Sequence, residues 1–137
     1  MRHEVTITVD APADRVWQAI SDVEKWSEWT PTVTEVRLHG GGELAQGSVA
    51  TLRQPQQPAR EWTVTELVEG RSFTWTSTGL GLRFSAEHIV TERDGTSVTL
   101  VFSMAGPLEP LAKLVAGKAI RRAVDTEAAS LKKRCET

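Results

Sequence analysis

The chain has 137 residues, 39% of them hydrophobic, which predicts one domain spanning residues 1–137 with a core of its own. A formal net charge of −2 argues against broad attraction to nucleic acid or to anionic membranes, and a single cysteine excludes an internal disulfide and a cysteine-built zinc site. Because no signal-peptide pattern and no stretch suited to membrane insertion is present, we expect a cytoplasmic protein.

The first part of the chain is predicted to form one strand and then two short helices. Apolar and polar residues alternate over positions 4–9, which is typical of a half-buried strand. Pro12 fits the first turn of a helix, because its missing N–H has no helical partner at that position. A second helical segment carries Trp26 and Trp29 and ends before Pro31, since a residue that precedes proline avoids the helical region.

Six further strands are predicted between the short helices and the end of the chain. Short turns rich in glycine separate them, so neighbouring strands should be antiparallel. The predicted strands cover residues 32–38, 47–53, 61–68, 72–77, 82–92 and 96–104.

The last predicted element is a helix of about 25 residues that begins near Pro110. At a rise of about 1.5 Å per residue, such a helix is long enough to cross the whole domain. Its apolar residues form two stripes on roughly opposite faces, and the change falls just after Gly117. We therefore expect either a kink near Gly117 or a first half that covers something other than the main core. The first stripe is Leu108, Leu111, Leu114, Val115 and Ala119; the second is Ile120, Ala123, Val124, Ala128, Leu131 and Cys135.

Three stretches and the order of elements carry a resemblance to a known family. They are the Asp10-Ala11-Pro12 turn into Val16-Trp17, the segment from Asp22 to Trp29-Thr30-Pro31, and Gly106-Pro107-Leu108 at the start of the long helix. The chain resembles the START-like (SRPBCC) superfamily, in its polyketide cyclase/dehydrase and lipid-transport branch. The resemblance implies an α+β helix-grip fold, in which a seven-stranded antiparallel sheet wraps around the C-terminal helix. The resemblance also implies two short helices between strands 1 and 2 and a ligand cavity between the sheet and the long helix.

Aromatic side chains on the predicted inner face of the sheet would give that cavity an apolar wall. Such a wall suits a small hydrophobic or aromatic molecule. For any one ring, simple packing in the core remains an alternative. The predicted ligand-binding residues are Trp29, Trp62, Phe73, Trp75, Phe84, His88 and Phe102 on the strands and short helices, with Leu111, Leu114 and Val115 on the long helix.

His88 and Glu127 are the candidate catalytic residues. His88 is the one imidazole predicted to face inward, and Glu127 lies inside the second apolar stripe of the helix, where a carboxylate needs a partner. A contact between them would form an acid/base pair in the cavity. The alternative is a core histidine that is bonded to a neighbour. No residue cluster has metal-ligand spacing, and no metal or other cofactor is expected.

Three functions remain open from the sequence. The first is binding or transport of a small hydrophobic molecule. The second is an aromatase-like polyketide cyclase/dehydrase that uses acid/base residues in the cavity, so the sequence leaves enzyme activity undecided. The third is an interaction module that docks a partner, or a second copy in a homodimer, through the first half of the last helix.

Overall fold

The computed structural model describes all residues 1–137 and has the predicted α+β helix-grip architecture. Seven strands, two short helices and one long helix follow each other in the predicted order, which confirms the fold class. The elements are β1 Arg2–Val9, α1 Ala13–Ser21, a 3₁₀ helix Val23–Glu28, β2 Glu35–Leu38, β3 Val49–Arg53, β4 Arg60–Val68, β5 Ser72–Gly79, β6 Leu82–Glu92, β7 Thr96–Ala105 and α2 Glu109–Cys135.

The seven strands form one antiparallel sheet in the order β1-β7-β6-β5-β4-β3-β2. The first strand thus pairs with the last, and β1 and β2 form the two edges. The pairing registers of the seven strands determine which residues share the inner face, because residues directly opposite each other point to the same side of the sheet. Val5 pairs with Leu100, and His88 with Leu100 and Phe73. The register between β4 and β5 shifts between Val64 and Glu66, a bulge that adds twist beside Trp62.

The second half of α2 packs on the sheet as permanent core. Val124, Ala128 and Leu131 are buried, and they recur at helical spacing on one face. At the end of the helix, Arg15 of α1 donates hydrogen bonds to the carbonyl oxygens of Cys135 at 2.9 Å and Arg134 at 3.2 Å. These bonds satisfy carbonyls that have no partner within the helix, so α1 is fixed against the C-terminal end of α2.

α2 is a single uninterrupted helix, and the expected kink near Gly117 is not formed. Gly117 itself is buried and helical. The two apolar stripes coexist because the first half of α2 does not turn its large side chains toward the sheet. Leu111, Leu114 and Val115 are exposed. No helix in the fold combines the length and the apolar character needed to cross a membrane.

Candidate functional site

A cavity of about 290 Å³ lies between the first half of α2 and the sheet. Its wall is mostly apolar and comes from β4, β6, β7 and α2, with a polar rim from the loop between β3 and β4. The lining residues are Gln54, Gln57, Arg60, Trp62, Leu82, Phe84, Phe102, Met104, Ala112, Ala116, Ala119, Ile120, Ala123 and Val124.

The sheet side of the cavity is an aromatic wall. Trp62, Phe84 and Phe102, three of the predicted ligand-binding residues, come together here from β4, β6 and β7. The ring centroids of Trp62 and Phe84 are 6.3 Å apart, and those of Phe84 and Phe102 are 5.8 Å apart. Both pairs lie within the range in which aromatic rings attract each other beyond simple burial. The wall is therefore held by ring–ring contacts, while Phe84 and Phe102 keep part of their surface accessible.

The helix side of the cavity is built from small residues. Ala112, Ala116, Ala119 and Ala123 line it, and Ile120 is the one large side chain among them in this stretch. An alanine in a helix that faces a sheet leaves the space that a leucine would fill, and tightly packed interiors contain few such spaces. The cavity thus exists because α2 presents its smallest side chains to the sheet.

The mouth of the cavity carries one positive charge. Arg60 begins β4, and its guanidinium carbon lies 4.5 Å from the centroid of the Phe84 ring, a cation–π contact. Gln54 and Gln57 line the same side. A ligand in the cavity would meet apolar rings along its body and amide or guanidinium donors at the rim.

Trp62 also supplies an unused hydrogen-bond donor in the wall. Its side chain is buried, and its indole Nε1 has no acceptor anywhere in the protein. The buried indole of Trp26, by contrast, donates to the carbonyl oxygen of Ile20 at 3.0 Å. Because an unpaired buried donor costs about 1–3 kcal/mol, the wall offers a place for an acceptor that the chain itself does not supply.

Phe73 and Trp75 lie deeper than the cavity and fill the core. They are 0% and 2% exposed, and neither lines the cavity, although both were predicted to bind ligand. Trp26 of the 3₁₀ helix contacts both rings, with centroids 6.4 Å from Phe73 and 5.2 Å from Trp75. Phe73 and Trp75 are therefore packed in the core, the alternative considered for any single ring, because the short helices cover this end of the sheet.

His88 belongs to the same inner cluster. Its ring stacks on Phe73, and its Nδ1 lies 3.2 Å from the Phe73 carbonyl oxygen. This bond requires a proton on Nδ1 and so leaves Nε2 unprotonated in the neutral ring. Burial lowers the pKa of His88 from 6.5 to about 4, and the bond to the carbonyl opposes this only partly. His88 is therefore a neutral imidazole at physiological pH.

Glu127 lies on the cavity stripe of α2, one turn beyond Ala123. The positions Ala116, Ile120, Ala123 and Glu127 are spaced by four, three and four residues and so share one face. The side chain of Glu127 is half-buried, and Glu127 is not one of the residues that line the cavity. Burial raises the pKa of Glu127 from 4.5 to about 7.

The predicted contact between His88 and Glu127 is not formed. The only hydrogen bond of the His88 ring is the one to Phe73, and burial alone raises the pKa of Glu127. The reason is that each group is accommodated separately. His88 is stacked within the aromatic cluster, while Glu127 stays uncharged over part of the neutral pH range and needs no counter-ion. A catalytic role for either residue stays a prediction.

The expected position of the large residues in the first half of α2 was wrong. Leu111, Leu114 and Val115 are 60%, 83% and 78% exposed, and none of them lines the cavity. Because alanines occupy the inner face, the leucines fall on the outer one. Trp29 also lies outside the cavity, beside Arg15 and Arg134 in a shallow surface depression.

Several lining residues were missed from the sequence. Ala112 and Ala116 gave no signal, because a search for large apolar residues passes over them, and Ala119 and Ala123 were noted only as members of the apolar stripes. Arg60 was assigned to the loop before the predicted strand 61–68, although it directly precedes a strand that carries Trp62. No group of three or more histidine, cysteine, aspartate or glutamate side chains is arranged to hold a metal ion.

Comparison with solved structures shows the same fold over the whole chain. A hypothetical protein from Helicobacter pylori aligns with a TM-score of 0.80 and 16% identity, over 98% of this chain and 86% of that one. The Zhui aromatase/cyclase from Streptomyces sp. R1128 aligns with a TM-score of 0.75 and 20% identity, over 99% and 93%.

The di-domain aromatase/cyclase BexL, from the BE-7585A biosynthetic pathway, gives a TM-score of 0.78 and 18% identity. The alignment covers 100% of this chain but 50% of BexL, so the chain spans half the length of that relative. At these identities the likeness describes the fold alone. No curated protein sequence matches.

The sequence model of one family, described as polyketide cyclase / dehydrase and lipid transport, matches residues 1–136. This match agrees with the resemblance that the helix-forming and turn motifs carried, and with the helix-grip architecture. The chain belongs to the polyketide cyclase/dehydrase and lipid-transport family.

Proposed function

We propose that residues 1–137 form a single ligand-binding domain that binds or transports a small hydrophobic or aromatic molecule in the cavity between α2 and the sheet. The observation that carries this proposal is an apolar space of about 290 Å³ walled by aromatic rings on one side and alanines on the other. A cytoplasmic location is part of the proposal.

The dimensions and polarity of the cavity favour a compact amphiphile. Its volume is near the lower end of the range for small-molecule sites, about 300–1,000 Å³. The apolar body of the ligand would lie between the Phe84 and Phe102 rings and the alanines of α2. An acceptor oxygen near Trp62 would take up its free N–H, and a polar or anionic end would face Arg60.

An enzyme of the polyketide cyclase/dehydrase (aromatase) type is the second candidate, and Glu127 favours it. A carboxyl group with a pKa of about 7 on the cavity stripe can donate a proton at neutral pH and accept one afterwards. Two of the solved structures with this fold are named as aromatase/cyclases. Turnover of a polyketide surrogate, lost in Glu127→Gln while surrogate binding persists, would support this candidate.

Filling the cavity tests the binding proposal. Ala116→Leu and Ala123→Leu place larger side chains in the space, whereas Ala129→Leu makes the same change on the exposed face of α2. Titration with an uncharged naphthalene-type dye, followed by tryptophan fluorescence, should give affinities that fall roughly tenfold or more in the two inner variants, about 1.4 kcal/mol. The Ala129→Leu variant should bind as the parent does.

Two results would contradict the proposal. One is a parent protein that binds no apolar probe. The other is equal affinity in the parent and in both inner variants, with circular dichroism showing that all of them are folded. The second result would place the dye on the surface rather than in the cavity.

A further inference from the structure

The outer face of the first half of α2 carries large apolar side chains in contact with solvent. We define this outer apolar face as Leu108, Leu111, Leu114 and Val115, with Leu80 of the β5–β6 turn next to it. Leu80 is 90% exposed, and the backbone N–H of Leu108 donates to the carbonyl oxygen of Gly81 at 3.3 Å, which brings the turn against the start of the helix. Contiguous exposed apolar side chains of this kind mark an interaction surface.

Four basic residues surround the outer apolar face. Lys113, Lys118, Arg121 and Arg122 are all exposed, and none forms an ion pair or a side-chain hydrogen bond. The nearby acids are engaged elsewhere. Glu109 lies 3.3 Å from the N-terminal amine, and Asp125 lies 2.8 Å from His3. The surface is therefore locally cationic, although the whole chain has a net charge of −2.

We propose that this face docks on the surface of an anionic lipid bilayer. A helix that presents apolar side chains interleaved with lysine and arginine matches a membrane interface, where the apolar groups enter the acyl boundary and the cations meet lipid headgroups. The long basic side chains reach the headgroups while their stems stay in the apolar layer. Only one face of the helix is involved, so the helix lies on the bilayer and does not cross it.

A second copy of the chain fits this face less well. An isologous dimer places the same patch of both subunits in contact, so the four cations of one copy would face those of the other. Like charges across an interface disfavour association. An anionic surface, by contrast, complements all four.

Docking in this orientation would also place the cavity at the membrane. Ala112, Ala116 and Ala119 line the cavity, and each is adjacent in sequence or one turn away from Leu111 or Val115 on the outer face. The alanine wall of the cavity therefore belongs to the same half of α2 as the docked surface. This consequence rests on the proposed function, whereas the docking itself does not require an occupied cavity.

Sedimentation with lipid vesicles tests the proposal without any ligand. Phosphatidylcholine vesicles are compared with vesicles in which about one quarter of the lipid is phosphatidylglycerol. We expect the chain to partition to the anionic vesicles about tenfold or more strongly than to the neutral ones, and less strongly as salt is added.

Two matched variants identify the surface. Lys118→Gln with Arg122→Gln removes two charges from the docking face, and roughly a tenfold loss of partitioning is expected. Arg93→Gln with Lys133→Gln removes two exposed, unpaired charges elsewhere and should leave partitioning unchanged. Leu114→Ser, at an exposed position, should also weaken partitioning without loss of helical circular dichroism.

The outcomes separate this proposal from the cavity proposal. The Ala116→Leu variant, with its cavity filled, should still bind anionic vesicles. Absence of binding to either vesicle would overturn the docking proposal and leave an acidic protein as the partner to seek. Equal losses in the two charge variants would overturn it as well, and so would a stable dimer that covers Leu114 in solution.

Discussion

The imidazole of His88 stacks on the ring of Phe73, with centroids 4.2 Å apart and planes 14° from parallel. The same two residues are joined by the bond from His88 Nδ1 to the Phe73 carbonyl oxygen. His88 is thus held neutral in an aromatic core, while burial raises the pKa of Glu127 on α2 to about 7 and so favours its protonated form. The two groups give the folding free energy opposite dependences on pH.

The first prediction concerns those two dependences. The pKa of His88 is about 4 in the folded chain and 6.5 when exposed, so its contribution to stability is lost as pH falls from about 6.5 to 4. The pKa of Glu127 is about 7 in the folded chain and 4.5 when exposed, so its contribution is lost as pH rises from about 4.5 to 7. In the parent protein the two slopes oppose each other over the shared range.

Replacing either Glu127 or His88 should leave the pH dependence of the free energy of unfolding that the other group causes. As the pH increases from 4.5 to 6.5, the free energy of unfolding of the Glu127→Gln variant should increase by about 2–4 kcal/mol more than that of the parent protein. In His88→Gln it should fall with rising pH over the same range. Urea unfolding at a series of pH values measures both. Curves parallel to that of the parent would show that neither group has a shifted pKa.

The second prediction compares two glycines. At Gly117 an added Cβ would meet only Lys113 Cγ at 3.7 Å, and the residue is helical, so Gly117→Ala should stabilise by up to about 1 kcal/mol. Gly106 has a φ of +119°, and a Cβ there would collide with the carbonyl oxygen of Gly81. Gly106→Ala should therefore destabilise by at least about 2 kcal/mol. Thermal unfolding of the two variants measures both changes in stability. A loss of stability in Gly117→Ala would indicate that the helix is strained at this position.

The third prediction separates the two buried indoles. Trp62→Phe removes a donor that has no acceptor, so the lost ring volume should be partly offset and stability should change by less than about 1 kcal/mol. Trp26→Phe removes a made hydrogen bond to Ile20 and should cost about 2 kcal/mol or more. Denaturant unfolding measures both.

The same Trp62→Phe variant has a binding readout. A carbonyl-bearing aromatic probe should lose affinity in this variant, because its oxygen can no longer accept the indole N–H. A hydrocarbon of the same shape should bind the variant and the parent alike. Equal losses for both probes would assign the effect to ring shape rather than to the N–H.

The fourth prediction concerns motion along α2. Amides of residues 111–116 should exchange hydrogen faster than those of residues 124–131, because the first half borders the cavity and solvent and the second half is core. An apolar ligand should slow exchange in the first half only. Uniform protection along α2, unchanged by ligand, would exclude a movable first half.

The fold was predictable because strand alternation and turn residues act locally. The spacing of Val98, Leu100 and Phe102 at every second position sets the inner face of β7, and the Asp94-Gly95 turn sets its pairing with β6. These signals depend on near neighbours along the chain. They gave the seven strands and the antiparallel sheet without any knowledge of distant contacts.

The cavity was less predictable because it depends on small side chains of α2 that leave space unfilled. A leucine such as Leu114 usually faces a core, so the large residues of α2 were predicted to face inward, and Ala112 and Ala116 were overlooked. Likewise, alternation places His88 on the inner face but does not say that Phe73 stacks against it. Ring contacts, carbonyl partners and the rotation of α2 about its axis arise only when the sheet and helix meet.

The alanine wall of α2 separates the anchoring of the helix from the shape of the site. Val124, Ala128 and Leu131 fasten the helix to the sheet, while Ala112, Ala116 and Ala119 only leave room. A substitution at one of these alanines changes the shape of the cavity without weakening the packing of α2 on the sheet. Selection can therefore shorten, narrow or divide the binding space one helical turn at a time. This offers a physical route by which chains of this architecture diverge in ligand choice while their backbones stay alike.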